Sequence, residues 1–154
     1  MDIDYRQPFT EDFIELNKDS ISWGGVSTCQ KLSEEFIDKY KDRVFWNAIS
    51  SHQSLSEDFI ERNKDLVHWG FISKFQKLSE DFIERNKDLV HWRTISRYQN
   101  LSEDFIERNK DLVHWGFVFI FQKLTNEFIE QNKELIDREK YCIDWYNKIK
   151  DDIQ

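Results

Sequence analysis

The sequence is poor in the residues that interrupt regular structure. It has one proline and four glycines in 154 residues. A collagen-like chain, a disordered linker or a turn-rich all-β fold would need far more of both. Aromatic residues, at 16%, and charged residues, at 34%, are abundant instead. The composition therefore predicts a helical protein with enough apolar residues to form a core.

Long hydrophobic runs and targeting signals are also missing. The longest uninterrupted apolar run, Phe117 to Phe121, is far shorter than the roughly 20 residues of a membrane-spanning helix. The first residues, Met1 to Asp4, are acidic and lack the apolar segment of a secretory signal. We therefore expect a protein that lies in the cytoplasm and binds no membrane.

Cysteine is scarce, because Cys29 and Cys142 are the only two and lie 113 positions apart. Two such residues do not make a disulfide framework, and no CxxC motif is present for zinc or redox chemistry. We expect both to be small, reduced residues of the core.

Positive charge is in deficit, with 22 Lys and Arg against 30 Asp and Glu and a net charge of −8. Affinity for phosphate backbones depends on Lys and Arg. The chain is therefore not expected to bind nucleic acid, although Arg93 and Arg97 could form a local basic spot.

A tandem repeat dominates what is present. The segment LSEDFIERNKDLVHW occurs unchanged at Leu55–Trp69, Leu78–Trp92 and Leu101–Trp115, with an offset of 23 residues. Weaker copies extend the repeat in both directions. They predict a lead-in over residues 1–8, five repeats over 9–123, and a partial sixth repeat with a C-terminal cap over 124–154.

Each repeat predicts two short helices. Ser56 is a suitable N-cap for a first helix from Glu57 to about Asn63, which places Phe59 and Ile60 on one face. Asp65 is expected to cap a second helix from Leu66 to Gln76 or Lys77. The apolar arc of this second helix is expected to contain Val67, Phe71, Ile72 and Phe75.

Such short helices are unstable alone and must stack on their neighbours. The predicted fold is all-α, an α-solenoid of about five 23-residue hairpins in a single domain, closed by an atypical C-terminal helix over Glu134–Gln154. Strands are excluded because DFIERNKDL does not alternate, and a coiled coil because the period is not a multiple of seven.

The pattern L-S-E-x-F-I, then W-x-x-I-S-x-x-Q, then L-S resembles short α-helical repeat proteins of large double-stranded DNA viruses and some phages. The similarity covers about Phe9 to Asn132. It implies stacked helical hairpins and a viral origin, so that the cytoplasm would be that of the host cell. It implies no activity and no catalytic residues.

Three polar columns recur at the repeat spacing. His68, His91 and His114 could form a metal or proton ladder, or they could be partly exposed residues near helix starts, which we favour. The Asn column could read bases, but the same residue in every repeat fits a helix end better. The Gln column is expected to tie backbone groups of neighbouring repeats together.

No catalytic constellation is apparent. The carboxylates lie at helix starts, where capping explains them, and no P-loop, HExxH, GxGxxG or nucleophile elbow is present. The chain is therefore predicted to be no enzyme and to need no metal or cofactor.

The variable positions lie on the second helices, and four of them change between repeats. The candidate partner-binding residues among them are Lys74, Arg93, Arg97, Phe117, Phe119 and Ile120. The apolar residues of the fifth repeat could bind a partner. Alternatively, and we favour this, the C-terminal helix folds over them with Tyr141, Trp145 and Tyr146.

Two functions remain open. The first is a non-enzymatic module that binds a protein partner through the second helices, such as a viral factor that docks a host protein. The alternative is a small ligand or nucleotide held between repeats by the His or Gln column, or a purely structural scaffold. The sequence does not decide the oligomeric state.

Overall fold

The computed structural model describes residues 4–151, without the side chains of Lys140, Cys142, Trp145 and residues 149–151. Within that range it contains thirteen helices and no strand. The helices recur in pairs at the repeat spacing, so the predicted all-α fold of tandem helical hairpins is confirmed.

The first helices of the repeats span six residues each. They are α1 (Glu11–Leu16), α3 (Glu34–Lys39), α5 (Glu57–Arg62), α7 (Glu80–Arg85), α9 (Glu103–Arg108) and α11 (Asn126–Gln131). In each, the hydroxyl of a Ser or Thr N-cap accepts a hydrogen bond from the backbone N–H of the Phe three residues on, such as Ser56 from Phe59. The predicted cap at Ser56 is therefore confirmed.

The Asn column ends these helices, as predicted. The Nδ2 of Asn63 donates to the carbonyl of Phe59, 3.1 Å away, and Asn86, Asn109 and Asn132 repeat the bond. The side chain thereby satisfies a helix carbonyl that has no backbone partner.

The second helices begin later than predicted. They are α2 (Trp23–Cys29), α4 (Trp46–His52), α6 (Trp69–Phe75), α8 (Trp92–Tyr98) and α10 (Trp115–Phe121). The expected cap at Asp65 is wrong: the Asn63 carbonyl accepts the N–H groups of Leu66 and Val67, which makes this stretch a turn. His68 is the N-cap instead.

The later start changes which residues are buried. Ile72 is fully buried, as predicted, but Phe75 is half exposed and does not belong to the buried arc. The recurring Trp fixes the turn, because its indole N–H donates to the carbonyl five residues earlier, as Trp69 does to Lys64 at 3.0 Å.

The chain forms two compact bodies, Met1–Gln76 and Lys77–Gln154. In the first, α2 packs on α4 and α4 on α6; in the second, α8 packs on α10. Each core is built from the same repeat positions. Its fully buried residues are Ile14, Ile37, Ile49, Phe59, Ile60 and Ile72 in the first body and Phe82, Ile83, Ile95, Phe105 and Ile106 in the second.

The Gln column joins successive repeats, as predicted. The Oε1 of Gln53 accepts from the N–H of Leu32 at 3.0 Å, and its Nε2 donates to the carbonyls of Ser27 and Gln30 at 3.2 and 2.7 Å. Gln76 and Gln122 make the equivalent three bonds within their own bodies. One buried amide thus satisfies three backbone groups.

The lead-in reproduces these links at the first repeat. The Nε2 of Gln30 donates to the carbonyls of Tyr5 and Gln7, and the Tyr5 hydroxyl accepts from the N–H of Ser22. The Tyr5 ring lies where a Cβ on Gly25 would come within 2.8 Å of it. Residues 4–8 therefore act as a short irregular cap, and Gly25 provides the space for it.

The C-terminal segment differs from the single long helix that was predicted. Helix α12 (Lys133–Arg138) is followed by α13 (Lys140–Asp151), and both pack against α10. Between them, the N–H of Glu139 donates to the carbonyl of Ile136, a tightened turn that ends α12. No helix of the described residues is long and apolar enough to span a membrane.

The two cysteines have different outcomes. Cys29 is exposed, so its predicted burial is wrong. It is the last residue of α2, beyond the positions that pack inward. The predicted burial of Cys142 falls on a side chain outside the described residues.

Candidate partner-binding surface

Arg93 and Arg97 occupy adjacent turns of α8, four residues apart, and so lie on one face of the helix. Arg93 is exposed and Arg97 is half-buried. Helix α8 is positioned by its buried residues Ile95 and Ser96, which face the core. The two arginines are therefore fixed on the side away from that core.

Aromatic rings hold both guanidinium groups. The Cζ of Arg93 lies 4.8 Å from the centre of the Phe117 ring. Arg97 lies over three rings, those of Tyr98, Phe117 and Phe121, at 5.1, 5.6 and 5.1 Å. Cation–π contacts of this kind restrain the guanidinium without using its N–H donors.

Lys74 lies in the other body and is described by itself. It is exposed on α6, with Nζ 4.7 Å from the centre of the Phe75 ring. The pairing of a cation with the next residue's ring thus occurs at Lys74 and again at Arg97.

The apolar candidates of α10 have different environments. Phe117 is buried, Ile120 is half-buried, and Phe119 has 37% of its surface exposed. Phe117 therefore supports the two arginines from below, whereas Phe119 is available to a partner. We define the α8–α10 surface as Arg93, Arg97, Tyr98, Phe119 and Phe121.

Helix α13 covers part of this region, as the favoured interpretation expected. The Tyr146 ring meets the Phe121 ring edge-on, with centroids 5.2 Å apart. Tyr141 does not take part in this cover, since it is 83% exposed. Trp145 lies outside the side chains that the structure describes.

One of the variable columns has a structural role. Ser27, Ser50 and Ser96 are fully buried, and their hydroxyls accept the N–H of Phe45, His68 and His114 in the next repeat. The interpretation of this column as freely variable is therefore wrong. Phe119 replaces the serine in the fifth repeat.

The histidines lie at the starts of the second helices, as we favoured. The Nδ1 atoms of His68 and His114 accept the N–H of Phe71 and Phe117, and the Nδ1 of His91 contacts the Thr94 hydroxyl at 2.6 Å. The Nε2 of His114 lies 3.4 Å from a Glu139 carboxylate oxygen. In the described part of the chain, no group of three or more His, Cys, Asp or Glu is arranged to hold a metal ion.

The largest cleft lies elsewhere in the second body. It is open, with a volume of about 790 Å³, and five carboxylates and two lysines contribute to its walls. Its lining residues include Glu107, Lys110, Asp111, Glu130, Lys133, Glu134 and Asp137. This mixed lining is typical of a solvated surface and shows no enclosed site for a small ligand.

Tyr98 and Phe121 were missed as members of the surface. The signal was present as a spacing of 24 residues, which joins Arg93 to Phe117 and Arg97 to Phe121. The same spacing joins the ion pairs Lys39–Glu15, Arg43–Asp19 and Arg62–Asp38. Contacts between neighbouring repeats thus follow an offset of one repeat plus one residue.

No protein-family model, curated protein or solved structure matches this chain. The chemistry of the α8–α10 surface is therefore argued from its own residues.

Proposed function

We propose that the chain is a non-enzymatic protein-binding module that docks its partner on the α8–α10 surface. The observation that carries this proposal is the pair of guanidinium groups held over rings and free of ion pairs among the described residues. Restrained arginines beside exposed aromatic rings are the side chains that dominate protein interfaces. The resemblance to viral repeat proteins supports a factor that acts on a host protein in the cytoplasm.

The test is capture of partners from host-cell extract by the tagged full chain, compared with variants of the surface. Arg93→Gln combined with Arg97→Gln, and separately Phe119→Ser, should abolish capture of a specific partner and leave the helical circular dichroism unchanged. Partner capture that survives both variants would exclude this surface as the docking site.

Arg85→Gln is the matched control. Arg85 also lies over a ring, that of Phe82 at 5.9 Å, but it belongs to the first helix α7. Its replacement changes the net charge by the same amount as each surface variant and should leave capture intact.

A further inference from the structure

The two arginines of α8 differ from the other cations that join repeats. Lys39, Arg43 and Arg62 each reach a carboxylate of the preceding repeat, at 2.6, 2.9 and 3.3 Å. Arg93 and Arg97 form no ion pair among the described residues and face rings at the same offset. In a chain with a net charge of −8, these two positive groups are left without an internal counter-charge.

We infer that Arg93 and Arg97 bind an acidic peptide segment of the partner, with one carboxylate on each guanidinium. This inference rests on the proposed function and adds the chemistry of the partner. Because the rings occupy only the faces of the guanidinium groups, their N–H edges stay directed toward solvent and can form paired hydrogen bonds with a carboxylate.

The spacing of the arginines constrains the segment. Residues four apart on a helix have Cβ atoms about 5–6 Å apart. In an extended peptide, side chains on one face repeat every second residue, about 6.5–7 Å apart. An extended segment with carboxylates at alternate positions therefore matches the pair. Tyr98 and Phe119, both partly exposed, can contact the residues between them.

The surrounding charge favours a short acidic segment over a long polyanion. The body around the surface contains many carboxylates, among them Glu107, Asp111 and Glu130. A nucleic acid that extended beyond the arginines would meet these like charges, whereas a few carboxylates would contact the arginines alone.

The experiment titrates the full chain with an alternating Glu–Ala peptide at low salt and follows backbone amide NMR shifts. We expect shifts concentrated in α8 and α10 that weaken as salt is added. Arg93→Gln or Arg97→Gln should each weaken binding about three- to tenfold, and the double variant by more. Arg97→Lys, which keeps the charge but loses the paired donors, should fall between wild type and Arg97→Gln.

Three results would overturn the inference. One is equal binding of a Gln–Ala peptide, and another is an equal loss of affinity in the Arg85→Gln control. The third is a single-stranded oligothymidylate that binds through Arg93 and Arg97 more tightly than the peptide. If the peptide fails while host-partner capture still depends on both arginines, the acidic segment is rejected and the docking surface stands.

Discussion

At the scale of the residue, the amide of Gln53 shows why one side chain type recurs in every repeat. Only an amide offers an acceptor for the Leu32 N–H together with two donors for the carbonyls of Ser27 and Gln30. A carboxylate has the same shape but no donor. The column is thus set by the needs of the backbone, and any ligand would have to compete with three existing hydrogen bonds.

Gln53→Glu should destabilise the protein by about 2–4 kcal/mol at neutral pH, because a buried charge would face two carbonyl oxygens. Urea unfolding followed by circular dichroism measures the loss. Gln7→Glu is the control, since the Gln7 side chain is exposed and only its backbone carbonyl is used. An equal loss in both variants would contradict the structural role of the column.

A surface ion pair gives a prediction on pH at the same scale. The hydrogen bond from Lys39 lowers the pKa of Glu15 below 4.5, against the smaller opposing effect of burial. The same bond raises the pKa of Lys39 above 10.5. The pair therefore stabilises the fold fully between those two values. This stability is lost as pH falls through the folded-state pKa of Glu15 or rises through that of Lys39.

Carboxyl NMR titration should find the Glu15 pKa below its unfolded value in the wild type and moved back toward it in Lys39→Gln. The stability difference between these proteins should be present at pH 7 and shrink in acid. Arg6→Gln serves as the control, because Arg6 pairs with Asp4 outside the helices. A Glu15 pKa that does not respond to Lys39→Gln would contradict this assignment.

At the scale of the element, each helix is too short to persist alone, and its ends decide where it starts and stops. Ser56 caps α5 and also donates from Oγ to the Oε2 of Glu34 at 3.0 Å, while its N–H donates to Oε1 of the same carboxylate. The cap of one repeat is thus held by the first turn of the repeat before it. Local capping and packing between repeats are therefore coupled at this residue.

Ser56→Ala should cost about 1–2 kcal/mol, because it removes the cap and the bond to Glu34 together. Chemical denaturation of the full chain tests this value. Ser54→Ala, two residues earlier at an exposed position, should change stability by less than about 0.5 kcal/mol. A cost for Ser56→Ala as small as that of Ser54→Ala would show that the cap is dispensable.

At the scale of the whole molecule, stability comes from rings that stack between repeats within each body. Trp46 of the second repeat lies on Phe59 of the third, with centroids 6.2 Å apart, and Trp92 and Trp115 lie in the same way on Phe105 and Phe128. Phe59 is fully buried by this contact, whereas Phe13, at the same position of the first repeat, is 37% exposed. The same residue thus contributes differently according to its neighbours.

Phe59→Ala should cost about 3–5 kcal/mol, the range for removing a fully buried ring. Phe13→Ala, a matched change in the same body, should cost clearly less because its ring already contacts solvent. Thermal and urea unfolding of the two variants give the comparison. Equal losses would mean that stacking between repeats is not the source of this stability.

Much of the fold could be predicted from the sequence. The period, the Ser cap, the Asn end and the Gln links all recur unchanged, and each satisfies a local backbone need that the residue type itself reveals. The candidate surface was only partly predictable. Arg93 and Arg97 stood out as departures from the repeat, but Tyr98 and Phe121 join them through an offset of 24 that only neighbouring repeats define.

The sequence by itself determined that the chain is helical, how long its repeat is and which residues end each helix. These follow from hydrogen bonds and apolar periodicity over a few residues. The tertiary structure alone decided that His68 starts α6, that α12 and α13 are separate, and that Cys29 and Phe75 are exposed. Those outcomes depend on packing between repeats, because a buried ring or carbonyl from a neighbour settles what local preference leaves open.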